Sequence, residues 1–179
     1  MSVSITMTAG GTSKGSHNVF VYGSLLADDV VQVLLNRVPA SSAAILPNYH
    51  RFSIKNRVYP AILPVDNKKV LGRVLTGVTN LELDILDVFE DVEYVRDTVE
   101  VTLADNLEKL QAYAYVWDDK NDPDLYGDWD FEKWKPTHMK DFIEMTKEFV
   151  DELEQSETRS RVETYNSFYQ SGDNKPPEL

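Results

Sequence analysis

The sequence predicts a single α+β domain in which a strand-rich middle is flanked by helices. Three observations point there. Val19-Phe20-Val21-Tyr22 is apolar on both faces, as a central strand covered on two sides must be, and it runs straight into helical periodicity. Residues 43–117 then carry strand patterns with one helical interruption, and beyond them apolar residues recur at helical spacing from Phe131 to Leu153. At 179 residues with 42% apolar content the chain has material for one sizeable core. It shows no internal repeat and no linker between domains.

His17 and Asn18 lead into the first strand, and Asp28 to Val38 follows as a helix with Val30, Val31, Leu34 and Leu35 on one face. Ala43 to Ile54 and Tyr59 to Val65 read as strands broken by Pro47, Pro60 and Pro64, which predicts edge strands or irregular crossings. Lys69 to Val78 reads as a separate strand with Gly72 and Gly77 as kinks. Thr79 with Glu82 three residues later forms a capping box, opening a helix that ends near Glu90 with Leu81, Ile85, Leu86, Val88 and Phe89 as its apolar surface. Val95, Val99, Val101 and Leu103 alternate with polar residues, a strand with one wet face. Gln111 to Trp117 wants cover on both faces and pairs with it as a hairpin about Asp105-Asn106. An acidic loop, Asp118 to Asp130, precedes the long helix, in which Pro136 sits early.

Residues 1–16 are expected to be a disordered leader, 17–155 the domain, and 156–179 a tail that is partly helical through Val162, Tyr165, Phe168 and Tyr169 and then disordered. The leader lacks the apolar stretch of a secretory signal, so a cytoplasmic protein is expected. Thirty acidic residues against eighteen basic ones give a net charge of −12, a field that repels nucleic acid and anionic membranes as partners. The chain has no cysteine, so disulfides and thiolate metal sites are excluded. No two histidines share a ligand spacing, and no EF-hand, phosphate loop or dinucleotide fingerprint occurs, so neither metal nor cofactor is expected.

Two stretches carry chemistry. The corner Tyr22-Gly23-Ser24-Leu25 is open to three readings: ordinary turn punctuation, a cradle of backbone N–H groups for a carboxylate or oxyanion, or a nucleophile corner built on Ser24. The last would need a base, and His17, His50 and His138 are scattered. In the second stretch Asp87, Glu90, Asp91 and Glu93 crowd a helix end, where the macrodipole already disfavours anions. Such crowding raises a carboxyl pKa, as burial does, and a raised carboxyl can take a proton and return it. A solvated acidic corner is the plain alternative.

Taken together, VFVYGSL (19–25), VYPAILP (58–64), LDVFEDVEYVR (86–96) and AYAYVW (112–117) resemble the γ-glutamylcyclotransferase-like family, most closely its plant, pathogen-induced branch. The likeness covers Asn18 to Trp117 and, more loosely, the long helix. It implies a small mixed, partly open β-barrel flanked by helices, and an enzyme that releases 5-oxoproline from a small γ-glutamyl substrate through attack by the substrate's own α-amine. No cofactor is implied. Carried over by motif, Glu90 would be the acid/base and Tyr22, Gly23, Ser24 and Leu25 the substrate-binding loop, with Tyr59, Tyr94 or Tyr115 shaping the pocket. Asp91 departs from the pattern, since many relatives have glycine after the catalytic glutamate. Arg57, Arg73 and Arg96 are the candidates for a local positive site. Rival expectations are a non-catalytic binding module on the same barrel and a stress protein acting through its acidic surface or tail. The sequence does not set the oligomeric state.

Overall fold

The computed structural model describes residues 15–170, with residues 156–170 as helical backbone. The expected leader, up to residue 14, and the last nine residues of the tail lie outside the described part. The elements in order are β1 (His17–Val21), a 3-10 turn (Ser24–Leu26), α1 (Asp28–Leu35), β2 (Ser41–Ile54), β3 (Ala61–Val78), α2 (Asn80–Glu90), a second 3-10 turn (Asp91–Glu93), β4 (Tyr94–Leu103), β5 (Lys109–Trp117), β6 (Leu125–Tyr126) and α3 (Phe131–Gln170).

Five strands form a closed ring, β3–β1–β5–β4–β2 and back to β3, with β6 outside on the end of β2. All pairs are antiparallel except β1–β5. The mixed barrel implied by the resemblance is what the chain forms, and its openness is confined to two short seams. One is β1–β5, paired at Val19 and Tyr113; the other is β2–β4, paired at Ala44–Leu103 and Ile45–Thr102.

Alternation along the strands sorts the core into two parts. Phe20 of β1 and Tyr22 just after it point into the barrel with Ala112, Ala114 and Val116 of β5, whereas Val19, Val21 and Tyr115 point out against the helices. A strand buried on both sides must be apolar at every position, which accounts for the patterns of β1 and β5. The outer face of β4 is exposed at Arg96, Thr98 and Glu100, as its alternation predicts.

The proline-broken segments differ from expectation. β2 and β3 are single long strands, paired at eleven positions, and they are not edges. The irregularity is gathered at one bulge, where the register shifts between Pro47 and Tyr49 and Pro64 faces Tyr49. Asn48 and Asn67 both take left-handed backbone there, and the Asn67 N–H donates to Asn48 Oδ1 at 3.1 Å. A bulge absorbs the donor that proline lacks, so the ribbon passes through. Farther along, β3 crosses β1 so closely that a Cβ on Gly72 would lie 2.3 Å from the Val21 carbonyl oxygen.

α1 buries Val30, Val31, Leu34 and Leu35 and stops at Leu35, three residues short of expectation, because Asn36 takes the left-handed cap and donates to the Gln32 carbonyl. In α2 the capping box is present: Thr79 Oγ1 accepts from the Glu82 N–H, and Glu82 accepts from the Thr79 N–H. Arg37 adds two bonds of 2.7 Å to the same carboxylate. The buried side of α2 is in part the expected one. Leu86 is buried and Ile85 and Phe89 pack against the core, but Leu83 is buried as well while Leu81 is 63% and Val88 50% exposed. Continuing Leu83 and Leu86 by one helical step reaches Glu90.

Asp91 ends α2 at φ 62°, ψ −164°, a region almost reserved for glycine that costs another residue about 1–3 kcal/mol. α3 begins at Phe131, where Asp130 Oδ1 accepts from the Glu132 N–H, and Pro136 falls in its second turn. The helix runs on through Gln170, so the segment 156–170 continues it as backbone.

Two stability changes of opposite sign follow. Asp91→Gly should raise the free energy of unfolding by about 1 kcal/mol, read from the urea midpoint at constant slope. Gly72→Ala should lower it by about 2 kcal/mol or more, because the clash is with backbone that cannot rotate aside.

Candidate active site

β1 ends at Val21 and the chain turns at once into the 3-10 turn, so Tyr22, Gly23, Ser24 and Leu25 form the floor of a pocket. Gly23 is required there by packing: a Cβ would sit 2.8 Å from Pro60 Cδ. The turn closes on itself through Leu26 N–H to Gly23 O at 2.9 Å and Ala27 N–H to Ser24 O at 3.1 Å. Opening amides of such a turn have no carbonyl within it, which leaves those of Ser24 and Leu25 to the pocket floor. Two guanidinium groups hold the corner from outside. Arg51 Nη1 donates to the Tyr22 carbonyl at 2.7 Å and Arg73 Nη2 to the Leu25 carbonyl at 2.8 Å.

The end of α2 delivers Glu90 onto this floor, beside Pro60, Tyr94 and Tyr115. Glu90 is partly exposed as a residue through the mouth of the pocket, yet its carboxyl has no hydrogen-bond or ion-pair partner among the described residues. Burial pushes its pKa up from 4.5 to about 8. The crowd of acids expected to do this contributes nothing of note. Asp87 is paired with Arg96 at 2.8 Å and Glu93 with Arg57 by two bonds of 2.7 Å, so both charges are compensated. Arg57 holds the Glu93 carboxyl below its usual range. Glu93, on the turn beyond α2, lines the adjoining groove and not the inner pocket.

Three tyrosines surround Glu90, each kept protonated by burial and fixed by its hydroxyl. Tyr22 O–H donates to the Tyr115 carbonyl at 2.5 Å, Tyr94 O–H to the Pro60 carbonyl at 2.7 Å, and Tyr115 O–H to Asp87 Oδ1 at 2.7 Å. Asp87 therefore orients Tyr115, and Arg96 orients Asp87. Tyr59 is not in the inner pocket. It lies in an adjoining groove, where its ring stacks under Arg57 at 5.5 Å and its hydroxyl accepts from the same guanidinium.

None of Arg57, Arg73 and Arg96 lines the inner pocket, so the expected local positive site is not formed by them. Each is spent on a carboxylate, and Arg73 also on the corner. No histidine lines it either. His17 bonds Asn80, His50 bonds the Gly127 carbonyl and Asp128, and His138 lines a separate cleft, so Ser24 has no imidazole beside it. Among the described residues no group of three or more His, Asp or Glu side chains could hold a metal ion, and no helix is long and apolar enough to cross a membrane.

Sequence reasoning missed Pro60, Arg51 and the groove wall on α3. Pro60 was legible as a strand breaker but not as the packing partner of Gly23. The stripe Phe131 to Leu153 has the spacing of a helix face turned to a core. Trp134 and Phe142 are core, but Phe142, Met145 and Phe149 also wall the adjoining groove, which shares Ser24, Glu90 and Tyr94 with the inner pocket.

Comparison with known proteins fits this geometry. Residues 19–131 match the family model described as gamma-glutamyl cyclotransferase, AIG2-like. AIG2-like protein D of Arabidopsis thaliana is 62% identical over 138 residues, which is 76% of this chain and 91% of that protein. A solution structure of another Arabidopsis thaliana protein superposes with a TM-score of 0.62 at 45% identity, covering 80% of this chain and 96% of that one. A yeast gamma-glutamyl cyclotransferase described as specific to glutathione shares the fold alone, with a TM-score of 0.50 at 13% identity over 76% of this chain and 96% of that one. With the family model spanning more than half of its residues, the chain belongs to the γ-glutamyl cyclotransferase, AIG2-like family.

Proposed function

We propose that the protein is a γ-glutamylcyclotransferase that releases 5-oxoproline from a γ-glutamyl amine or peptide. The observation that carries the reading is the carboxyl of Glu90, held near pKa 8 by burial on the rim of the Tyr22–Leu25 corner. The substrate's α-amino nitrogen attacks its own γ-carbonyl carbon, and Glu90 takes the proton that the nitrogen gives up. The carbon–nitrogen bond of the γ-amide then breaks as Glu90 returns that proton to the leaving nitrogen. Glu90 ends as it began, and no water, metal or redox partner enters the balance. Amides at the corner donate to the carbonyl oxygen as charge develops on it. Folding the glutamyl chain against Tyr94 and Tyr115 brings amine and carbonyl together, where intramolecular attack is most favoured.

The pKa decides whether this proton transfer is affordable. Between an α-amine near 8 and a free glutamate near 4.3 the transfer would be uphill by about 5 kcal/mol. With Glu90 at about 8 that gap closes almost completely. The same burial has a stability cost. Because the folded pKa lies above the unfolded one, the native state holds more protons here, and stability falls as pH rises from about 4.5 to about 8.

Glu90→Gln should leave the fold intact and lower 5-oxoproline release by roughly a thousandfold across γ-glutamyl dipeptides, glutathione and γ-glutamyl-ε-lysine. Retained turnover would remove the mechanism, and saturable ligand binding without product from the wild type would favour a binding module. In thermal unfolding the same variant should gain stability over wild type at pH 9, by up to the order of 5 kcal/mol, and lose that advantage at pH 4.

The step requires Glu90 ionised and the amine unprotonated, each with a pKa near 8. A plot of kcat/KM against pH should therefore rise with a logarithmic slope near two below pH 8 and level off above it, with more than about a hundredfold fall by pH 6. A slope of one, from the amine alone, would contradict a raised carboxyl.

A further inference from the structure

We propose that the groove adjoining Glu90 is the leaving-group subsite, and that it selects γ-glutamyl amides of apolar, aromatic-sized amines carrying no carboxylate. The proposal rests on the cyclotransferase reading and extends it from the glutamyl half of the substrate to the other half.

Continuity gives the groove its occupant. Ser24, Glu90 and Tyr94 wall both the inner pocket and the groove. A γ-carbonyl placed between the corner and Glu90 has the glutamyl chain on one side and the leaving nitrogen on the other, and the groove is the open space on that other side.

The lining gives the chemistry. Phe89, from the last turn of α2, meets Phe149 edge-on at 5.2 Å and Phe142 at 6.2 Å, which makes an aromatic wall between α2 and α3. Met145 stands beside it with 41% of its surface exposed, a flexible apolar side chain held in solvent next to the acid/base. Such a wall gains free energy by covering an aromatic or branched aliphatic group and gains little from a small polar one.

Charge excludes the rest. Among the described residues no lysine or arginine lines the groove, and Arg57, bonded to its wall residue Glu93 by two bonds, is not left to receive a substrate carboxylate. Asp91 lines the same groove, accepts from the Val92 N–H, and has no cation within ion-pair distance among the described residues. An anionic leaving group would meet exposed Asp91 with no cation beside it, whereas an amine that leaves with the proton from Glu90 passes an attractive charge.

The test uses the purified full chain and 5-oxoproline release from four substrates: the γ-glutamyl amides of 2-phenylethylamine and methylamine, γ-glutamylphenylalanine, and glutathione. The phenylethylamide should show a kcat/KM at least tenfold above each of the others. Phe149→Ala should narrow its advantage over the methylamide to under threefold. Met145→Lys, at an exposed position that tolerates charge, should narrow its advantage over γ-glutamylphenylalanine by supplying the missing cation. Equal kcat/KM values, a preference for glutathione, or ratios unmoved by both substitutions would overturn the subsite while leaving the cyclotransferase standing. Absence of product from all four substrates would overturn both.

Discussion

Removing one carboxyl from water is the condition on which the rest of the site depends. Glu90 occupies the step of α2 that continues Leu83 and Leu86, a place where an apolar side chain would ordinarily finish the buried stripe. A carboxyl in that place has lost its hydration and has received no ion pair in return, so its neutral form is favoured. Everything around it serves to keep it dry without giving it a partner. Pro60 presses on Gly23, the tyrosine hydroxyls are turned onto carbonyls and Asp87, and the arginines are bound elsewhere.

That arrangement also leaves the pocket of a chain of net charge −12 without an uncompensated acidic cluster that would repel an anionic substrate of the proposed kind. The acids nearest the pocket are not a repulsive cluster, because Asp87 and Glu93 are each matched by an arginine on a neighbouring strand or loop. Guanidinium groups that might have lined the pocket are used to fix the backbone of the corner from behind. The pocket then works with neutral donors: hydroxyl groups and main-chain amides.

Much of this was legible in sequence, for local reasons. The capping box of α2 is a four-residue pattern, and its geometry is set by those residues. The two-sided cover of β1 and β5 follows from period-two alternation, which fails only when both faces are buried. The corner and Glu90 were found by motif, and the fold brings them to one pocket. What escaped was non-local. Pro47 and Pro64 argued for broken strands because nothing in a single strand reveals that a bulge in its partner will accommodate them. Leu81 and Leu83 are both consistent with an apolar helix face, and only the packing of α2 onto the core that it shares with α1 buries the latter. The groove on α3 was hidden for the same reason, since Met145 and Phe149 follow the same spacing as core residues such as Phe142.

The position of β1 in the ring has a consequence for how the chain reaches this state. The strand made first is paired with β3 through Val19–Leu75 and with β5 through Val19–Tyr113, partners that appear many residues later. Its apolar faces must wait, uncovered, while the β2–β3 ribbon and the β4–β5 hairpin form from nearer neighbours. The corner that follows β1 therefore depends on pairings with distant stretches of chain and not on near neighbours. A chain holding only its glutamate and its ribbon has no pocket, since the pocket is a property of the closed barrel.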